Sequence, residues 1–358
     1  MKVLKMNTLP FLLLLLFLGF PPTLFSQQDT INILPFELIA TPNKPAYKTT
    51  HLDSLSISRS ENLAQLLTNN STLFIKSYGG GSLATASFRG TGASHTKVQW
   101  NGINLNSPMN GQIDFSLYPT FFFDNAEIHY GASGLIDGNG ALGGSVVMGN
   151  TADFSQGFSA NINQTVGSFG SYTTAIKGKL AHNNWFLETK LYQNNSQNDF
   201  SFTNSTKINQ PTAIQTNADL SQWGVQQAIY RKMKNSILGT RIWYFNSDRN
   251  LPSTLLTNQS NENQADQSFK GLIEWKGLAH NFEYHISSGI VNDNFIYQNK
   301  NSNIHAESTA YLWDNNINTI LYLNNNFKII DTLGNDTEKV HTFNKDWSKW
   351  LKKGKKVY

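Results

Sequence analysis

Phe158-Ser159-Ala160-Asn161-Ile162-Asn163-Gln164-Thr165-Val166, then Gly167-Ser168-Phe169-Gly170, then Ser171-Tyr172-Thr173-Thr174-Ala175-Ile176 is the stretch on which the fold turns. Phe158, Ala160, Ile162 and Val166 alternate with Ser159, Asn161, Asn163 and Thr165, the period-2 pattern of a strand with one apolar and one polar face. Gly167 to Gly170 predicts a tight turn, and Tyr172, Thr174, Ile176 and Leu180 resume the alternation against Lys177 and Lys179. The same grammar recurs at Phe282, Tyr284, Ile286 and Ile290 against Asn281, Glu283, His285 and Ser287, and near 184–194, 222–232, 236–246, 267–276 and 309–323. Short connections alternate with long Asn/Gln/Ser/Thr-rich ones at 195–218 and 247–265. That arrangement describes antiparallel transmembrane β-barrel strands; a soluble sandwich is the competing reading.

Composition agrees. Charged residues are 15% of the chain, against about 25% for a typical soluble domain. Aromatics reach 12%, too many for a disordered chain. The 358 residues contain no cysteine, which excludes disulfides, thiol nucleophiles and Cys-ligated metal sites. The net charge of +4 is misleading: Lys2 and Lys5 and six lysines between Lys345 and Lys356 supply it, and the rest of the chain is net acidic. A nucleic-acid-binding face is therefore not expected.

Upstream, Lys2 and Lys5, the apolar run Leu9–Phe20, Pro21-Pro22 and Ser26 follow the order of a cleaved export signal over 1–26. Residues 27–50 form a Pro-punctuated linker in which Phe36, Glu37, Leu38, Ile39, Ala40 and Thr41 read as a strand-capable peptide with no local partner. Residues 51–150 predict a compact α+β domain. Ser58 and Glu61 suggest a capping box opening a helix over 59–68, and short strands are expected at 73–77, 86–89, 97–100, 126–130 and 145–148. The barrel region spans 151–339, and 340–358 is an aberrant Lys-rich tail.

No reaction chemistry is legible. Gly138-x-Gly140-x-x-Gly143 precedes a strand instead of a helix, so it reads as a turn, not a dinucleotide site. The eight histidines lack metal-ligand spacing, and no nucleophile elbow occurs, so no enzyme activity, cofactor or metal is expected. Arg89 at the end of Ser87-Phe88-Arg89-Gly90 reads either as a surface residue or as the partner of an acid on a surrounding wall.

The run Phe88-Arg89-Gly90-Thr91-Gly92-Ala93-Ser94-His95-Thr96-Lys97-Val98, followed by Asn101-Gly102-Ile103-Asn104-Leu105-Asn106, resembles the plug domain of TonB-dependent outer-membrane receptors, the cobalamin-type members above all. The match continues through Asp114–Pro119, Glu127-Ile128, Gly131 and Gly138–Val146, and Gly167–Tyr172 resembles the first barrel hairpin. Tyr130 stands where the family has a second arginine beside Arg89. The resemblance implies an outer-membrane receptor for a scarce nutrient such as cobalamin or a siderophore. Phe36–Thr41 would be the TonB box, Arg89 the remaining plug member of a charge cluster, and TonB and outer-membrane lipid the partners. Ligand-facing plug loops would hold Tyr78, Gly79, Gly80, Gly81 and Ser82 on one apex and Asn104, Asn106, Ser107 and Asn110 on the other.

Enclosing a plug takes about 22 strands. The residues after 151 supply about eight, so the expected arrangement is an incomplete barrel, an open curved sheet. Its polar faces (Ser159, Asn161, Asn163; Glu283, His285, Ser287) should turn to the plug, and Phe158, Ile162, Phe282, Tyr284 and Ile286 to lipid. The expectation is a truncated and non-transporting form. The alternatives are a small passive outer-membrane barrel or adhesin with a periplasmic N-terminal domain, and an exported soluble β-protein.

Overall fold

The computed structural model describes residues 48–79, 82–131, 140–255, 260–324 and 327–344. The chain divides into two units, Met1–Asn43 and Lys44–Tyr358, and every described residue belongs to the second. The signal segment, Phe36–Thr41, Gly80, Gly81 and the lysine-rich 345–358 lie outside the described residues.

The N-terminal domain begins with β1 (Lys48–Leu52), three residues ahead of the expected boundary. Two short helices follow instead of one: α1 (Ser54–Arg59) and α2 (Leu63–Asn70). Asp53 caps α1 by accepting from the Ser56 amide at 2.6 Å. Asn62 caps α2, accepting from the Gln65 amide at 3.0 Å, while the Gln65 side chain accepts from the Glu61 amide at 2.7 Å. The expected 59–68 helix is thus corrected by four residues at its start. The polar pair that opens it is Asn62/Gln65, and Ser58 belongs to the last turn of α1, donating to the Leu55 carbonyl. Leu63, Leu66 and Leu67 are fully buried, as their spacing requires.

Strands β2 (Phe74–Ser77) and β3 (Ala84–Ser87) form a hairpin. The main sheet of the domain combines β1 with β4 (Thr96–Trp100), β5 (Ile103–Asn104), β6 (Asn125–Tyr130) and β7 (Gly144–Gly149), in the order β1-β6-β7-β4-β5. Val98, Trp100, Ile128, Val146 and Met148 fill its core.

From residue 157 the chain is a meander: β8 (Gly157–Gly167), β9 (Ser171–His182), β10 (Trp185–Ser196), β13 (Leu220–Lys232), β14 (Ser236–Leu251), β15 (Glu262–Ala279), β16 (Phe282–Asn299), β17 (Ile304–Asn324) and β18 (Phe327–Asn344). A small hairpin, β11 (Ser201–Thr203) with β12 (Thr212–Ile214), sits in the long loop between β10 and β13. The nine long strands pair antiparallel with their chain neighbours, and among the described residues β8 and β18 are the edges of an open sheet. Nine strands stand where about eight were expected, and β18 carries the strand pattern past 340, to Asn344.

Turn lengths alternate as the sequence indicates. Asn183 and Asn184, both left-handed (φ 47° and 68°), make the two-residue turn between β9 and β10. The connection expected at 247–265 shrinks to 252–261, because β14 and β15 run on through polar sequence. Side-chain amides hold that extension: Asn263 donates to Asp248 at 2.6 Å, and Asn217 to the carbonyls of Leu251 and Glu262 at 2.8 and 2.9 Å.

Candidate functional site

One face of the nine-stranded sheet carries the mixed domain, and the register decides which side chains meet it. On β10, Phe186, Glu188, Lys190 and Tyr192 are buried; on β14, Arg241, Trp243, Phe245, Ser247 and Arg249 are. The alternate residues Trp185, Leu191, Leu238 and Ile242 are exposed on the other face. On β16, Ser287 is buried while Phe282, Ile286 and Ile290 are exposed, which is the orientation expected there. On β8 both faces are exposed, so Ser159, Asn161 and Asn163 do not meet the domain.

An aromatic seam runs along the contact. Trp243 lies edge-on to Trp100 (5.3 Å) and Tyr118 (5.9 Å) and tilted against Phe122 (5.0 Å), and Tyr192 meets Phe122 at 5.7 Å. Such pairs contribute about 0.5–1.5 kcal/mol each beyond the area they bury. Two sheet glycines let the domain approach: a Cβ on Gly224 would lie 2.9 Å from the Phe122 ring, and one on Gly289 2.4 Å from Ile103.

Two ionic anchors flank the seam, and both are acids of the domain held by bases of the sheet. Asp124 accepts from Lys190 at 2.8 Å and Lys177 at 3.3 Å, and also from the Asn150 side chain and the Thr151 amide at 3.2 Å. Glu188 completes this cluster, 3.1 Å from both Lys177 and Arg241. Burial opposes ionisation of Asp124, but Lys190 and Lys177 outweigh it and hold the carboxyl well below the usual range. In the second anchor Asp114 accepts from Arg249 at 2.6 Å, and from the Ala84 amide and the Ser116 amide and hydroxyl. Arg249 also reaches Asp266 at 3.3 Å.

Beside the second anchor, at the long-loop end of the sheet, lies a cavity of about 250 Å³. Ser107, Met109, Asn110 and Tyr118 line it from the domain, and Asp266, Lys270, Asp293 and Phe295 from β15 and β16. Lys270 is buried under the rings of Trp243 (4.6 Å) and Tyr118 (5.2 Å) and donates to Ser268.

The nominated residues divide. Ser107 and Asn110 line this cavity; Gly79 and Ser82 line a second, of about 290 Å³, with Glu61, Gln65 and Ser116. Asn104 donates its amide to Asp314 on β17 at 3.1 Å. The Asn106 side chain is committed inside the domain, accepting from the Val98 amide and donating to the Thr96 and Gly111 carbonyls. Tyr78 is exposed, with Lys76 over its ring at 4.9 Å.

Arg89, expected in a charge cluster, stands apart from this contact. It is exposed, left-handed (φ 48°), and makes no ion pair among the described residues. In the contact itself Asp114 and Asp124 are the domain's charged contributors. Asp114 also caps a short 3-10 turn, and nothing in the local sequence of either aspartate marks a distant basic partner. The available signal lay in the sheet, where Lys177, Lys190, Arg241 and Arg249 all fall on inward registers.

Residues 46–145 match the family model of the TonB-dependent Receptor Plug Domain. Comparison with curated proteins gives no match. Among solved structures, the siderophore receptor PiuA from Acinetobacter baumannii aligns with a TM-score of 0.65 at 12% identity, over 83% of this chain and 46% of its own. The copper transporter OprC aligns at 0.68 and 10% identity, over 85% and 47%. The pyoverdine outer membrane receptor FpvA from Pseudomonas aeruginosa PAO1, bound to pyoverdine, aligns at 0.65 and 11%, over 83% and 46%. At such identities the likeness is one of fold, and the chain spans less than half the length of these three. The likeness to the family model is thus confined to residues 46–145, and over the aligned part the chain shares the fold of these three structures.

Proposed function

We propose that this chain acts as a TonB-dependent outer-membrane receptor for active uptake of a scarce nutrient, cobalamin, a siderophore or a similar compound. The observation that carries this is the plug domain seated by two ionic anchors and an aromatic seam on one face of an antiparallel sheet whose other face is apolar. Binding of residues 30–45 to TonB would separate this reading from a passive barrel or adhesin, which has no use for that peptide. The activity is transport and not catalysis. The nine strands cover one side of the plug, so a transport path requires a wall closed around it, with no edge left in lipid.

In this reading an export signal over 1–26 directs the chain to the outer membrane, and Phe36–Thr41 pairs with TonB by strand addition, in which backbone hydrogen bonds supply most of the affinity. Ligand meets the plug at the loops bearing Gly79, Ser82, Ser107 and Asn110. Site-directed crosslinking to TonB in cells tests this. Leu38→Pro removes a backbone donor and should abolish the crosslink while outer-membrane recovery stays unchanged. An undiminished crosslink refutes the box assignment, and recovery in the soluble periplasmic fraction refutes the receptor reading as a whole.

A further inference from the structure

Tyr118 is 94% buried, its ring is held by Trp243 and Lys270, and it lines the cavity at the long-loop end. Its hydroxyl has no hydrogen-bond partner among the described residues. The carboxylates of Asp114, Asp266 and Asp293 surround it closely enough to act on it electrostatically. Asp114 is saturated by Arg249, Ser116 and the Ala84 amide. The other two are not. Asp266 uses only Oδ2, accepting from Gln264 at 3.0 Å and Arg249 at 3.3 Å. Asp293 uses only Oδ1, accepting from Ser268, which in turn accepts from Lys270. Three carboxylates face two cations, Arg249 and Lys270, both already engaged.

We infer that this cavity selects a ligand presenting a protonated amine, which Asp266 Oδ1, Asp293 Oδ2 and the Tyr118 hydroxyl would accept, with the Phe295 ring beside it. The inference rests on the receptor reading above. Each of the two carboxylates keeps one oxygen without a donor beside the cavity, and an ammonium supplies the missing donors and the missing charge together. A bare metal ion fits less well, since no group of three or more histidines or carboxylates among the described residues is arranged to hold one. An anionic ligand would add to an existing excess of negative charge.

The test uses the full chain folded in detergent micelles, titrated calorimetrically with spermidine, with citrate and with Mg²⁺ at matched ionic strength. Spermidine should bind one to one, and Asp293→Asn and Asp266→Asn should each weaken it about tenfold, the worth of one charge-assisted hydrogen bond. Asn110 is exposed at the cavity lining, where its side chain accepts only from the Gln112 amide, so a charge placed there stays in contact with solvent. Asn110→Lys should weaken spermidine several-fold and Asn110→Asp strengthen it. Preferential binding of citrate, displacement of spermidine by equimolar Mg²⁺, or indifference of spermidine to all four substitutions overturns the inference. Any of these in a chain recovered from the outer membrane leaves the receptor reading standing, whereas a soluble periplasmic product refutes that reading instead.

Discussion

Replacing Asp124 with asparagine keeps the shape of the first anchor and deletes its charge. The wild-type cluster sets three bases, Lys177, Lys190 and Arg241, against two acids, Asp124 and Glu188. After the substitution three cations face Glu188 alone, and Lys190, 1% exposed, keeps only a 3.8 Å approach to it. Removing one partner of a buried pair costs about 3–5 kcal/mol. Asp124 is 25% and Lys177 34% exposed, so solvent screening puts the loss at the low end, about 3 kcal/mol. The companion change Lys190→Met relieves the orphaned cation, so the double variant should recover about 2 kcal/mol relative to additivity. Urea unfolding of the full chain in micelles, followed by tryptophan fluorescence, reads this directly, because Trp100 and Trp243 meet across the same contact. The sign with pH follows from the depressed carboxyl. The anchor's stabilisation is complete above the unfolded pKa of about 4 and fades as pH falls from there toward the lower folded value. Asp124→Asn should flatten that acid limb. A loss below about 1 kcal/mol, or strict additivity with Lys190→Met, would refute an electrostatic anchor.

Two further outcomes follow from the plug itself. Gly144→Ala should destabilise the plug by about 2–3 kcal/mol or more in the same unfolding assay, since its Cβ would lie 2.4 Å from the His129 carbonyl and 2.6 Å from the Phe88 ring, at φ +151°. Glu127 is lowered chiefly by its hydrogen bond with His129, with His51 adding to it, so its contribution is present above a carboxylate's ordinary pKa and lost as pH falls below it; Glu127→Gln should remove that part of the acid dependence, and an unchanged acid profile would contradict the assignment.

The wall was legible because period-2 alternation needs only one dry face and one occupied face. Phe282 to Ile290 met that condition, and so did the turn at Gly167–Gly170, where Phe169 and Gly170 are left-handed. Legibility failed where both faces are alike. The extensions of β14 and β15 near Asp248 and Asn263 are polar on both sides and read as loop. The capping signal was found in the right region but on the wrong pair, because Ser58/Glu61 and Asn62/Gln65 offer similar chemistry four residues apart, and the Asn62 backbone, extended at φ −143°, decides between them. The ionic anchors escaped because each joins residues more than fifty positions apart. Asp124 and Lys190 meet only once the register of β9 and β10 is set.

On the receptor reading proposed above, the strand lengths have a consequence for where a ligand would first be met. The first three strands of the wall have 11 to 12 residues, while β15 and β16 have 18 each. Eighteen residues at about 3.4 Å extend roughly 61 Å, and at a tilt near 40° they rise about 47 Å. The apolar band of an outer-membrane wall is about 25 Å tall. Roughly 20 Å of that side would therefore stand as a parapet above the lipid, higher over β15 and β16 than over β8 and β9. The cavity bounded by Asp266, Asp293 and Phe295 sits against the inside of the taller rim, so an arriving molecule would meet a sloping, hydrated shelf before it reached the plug.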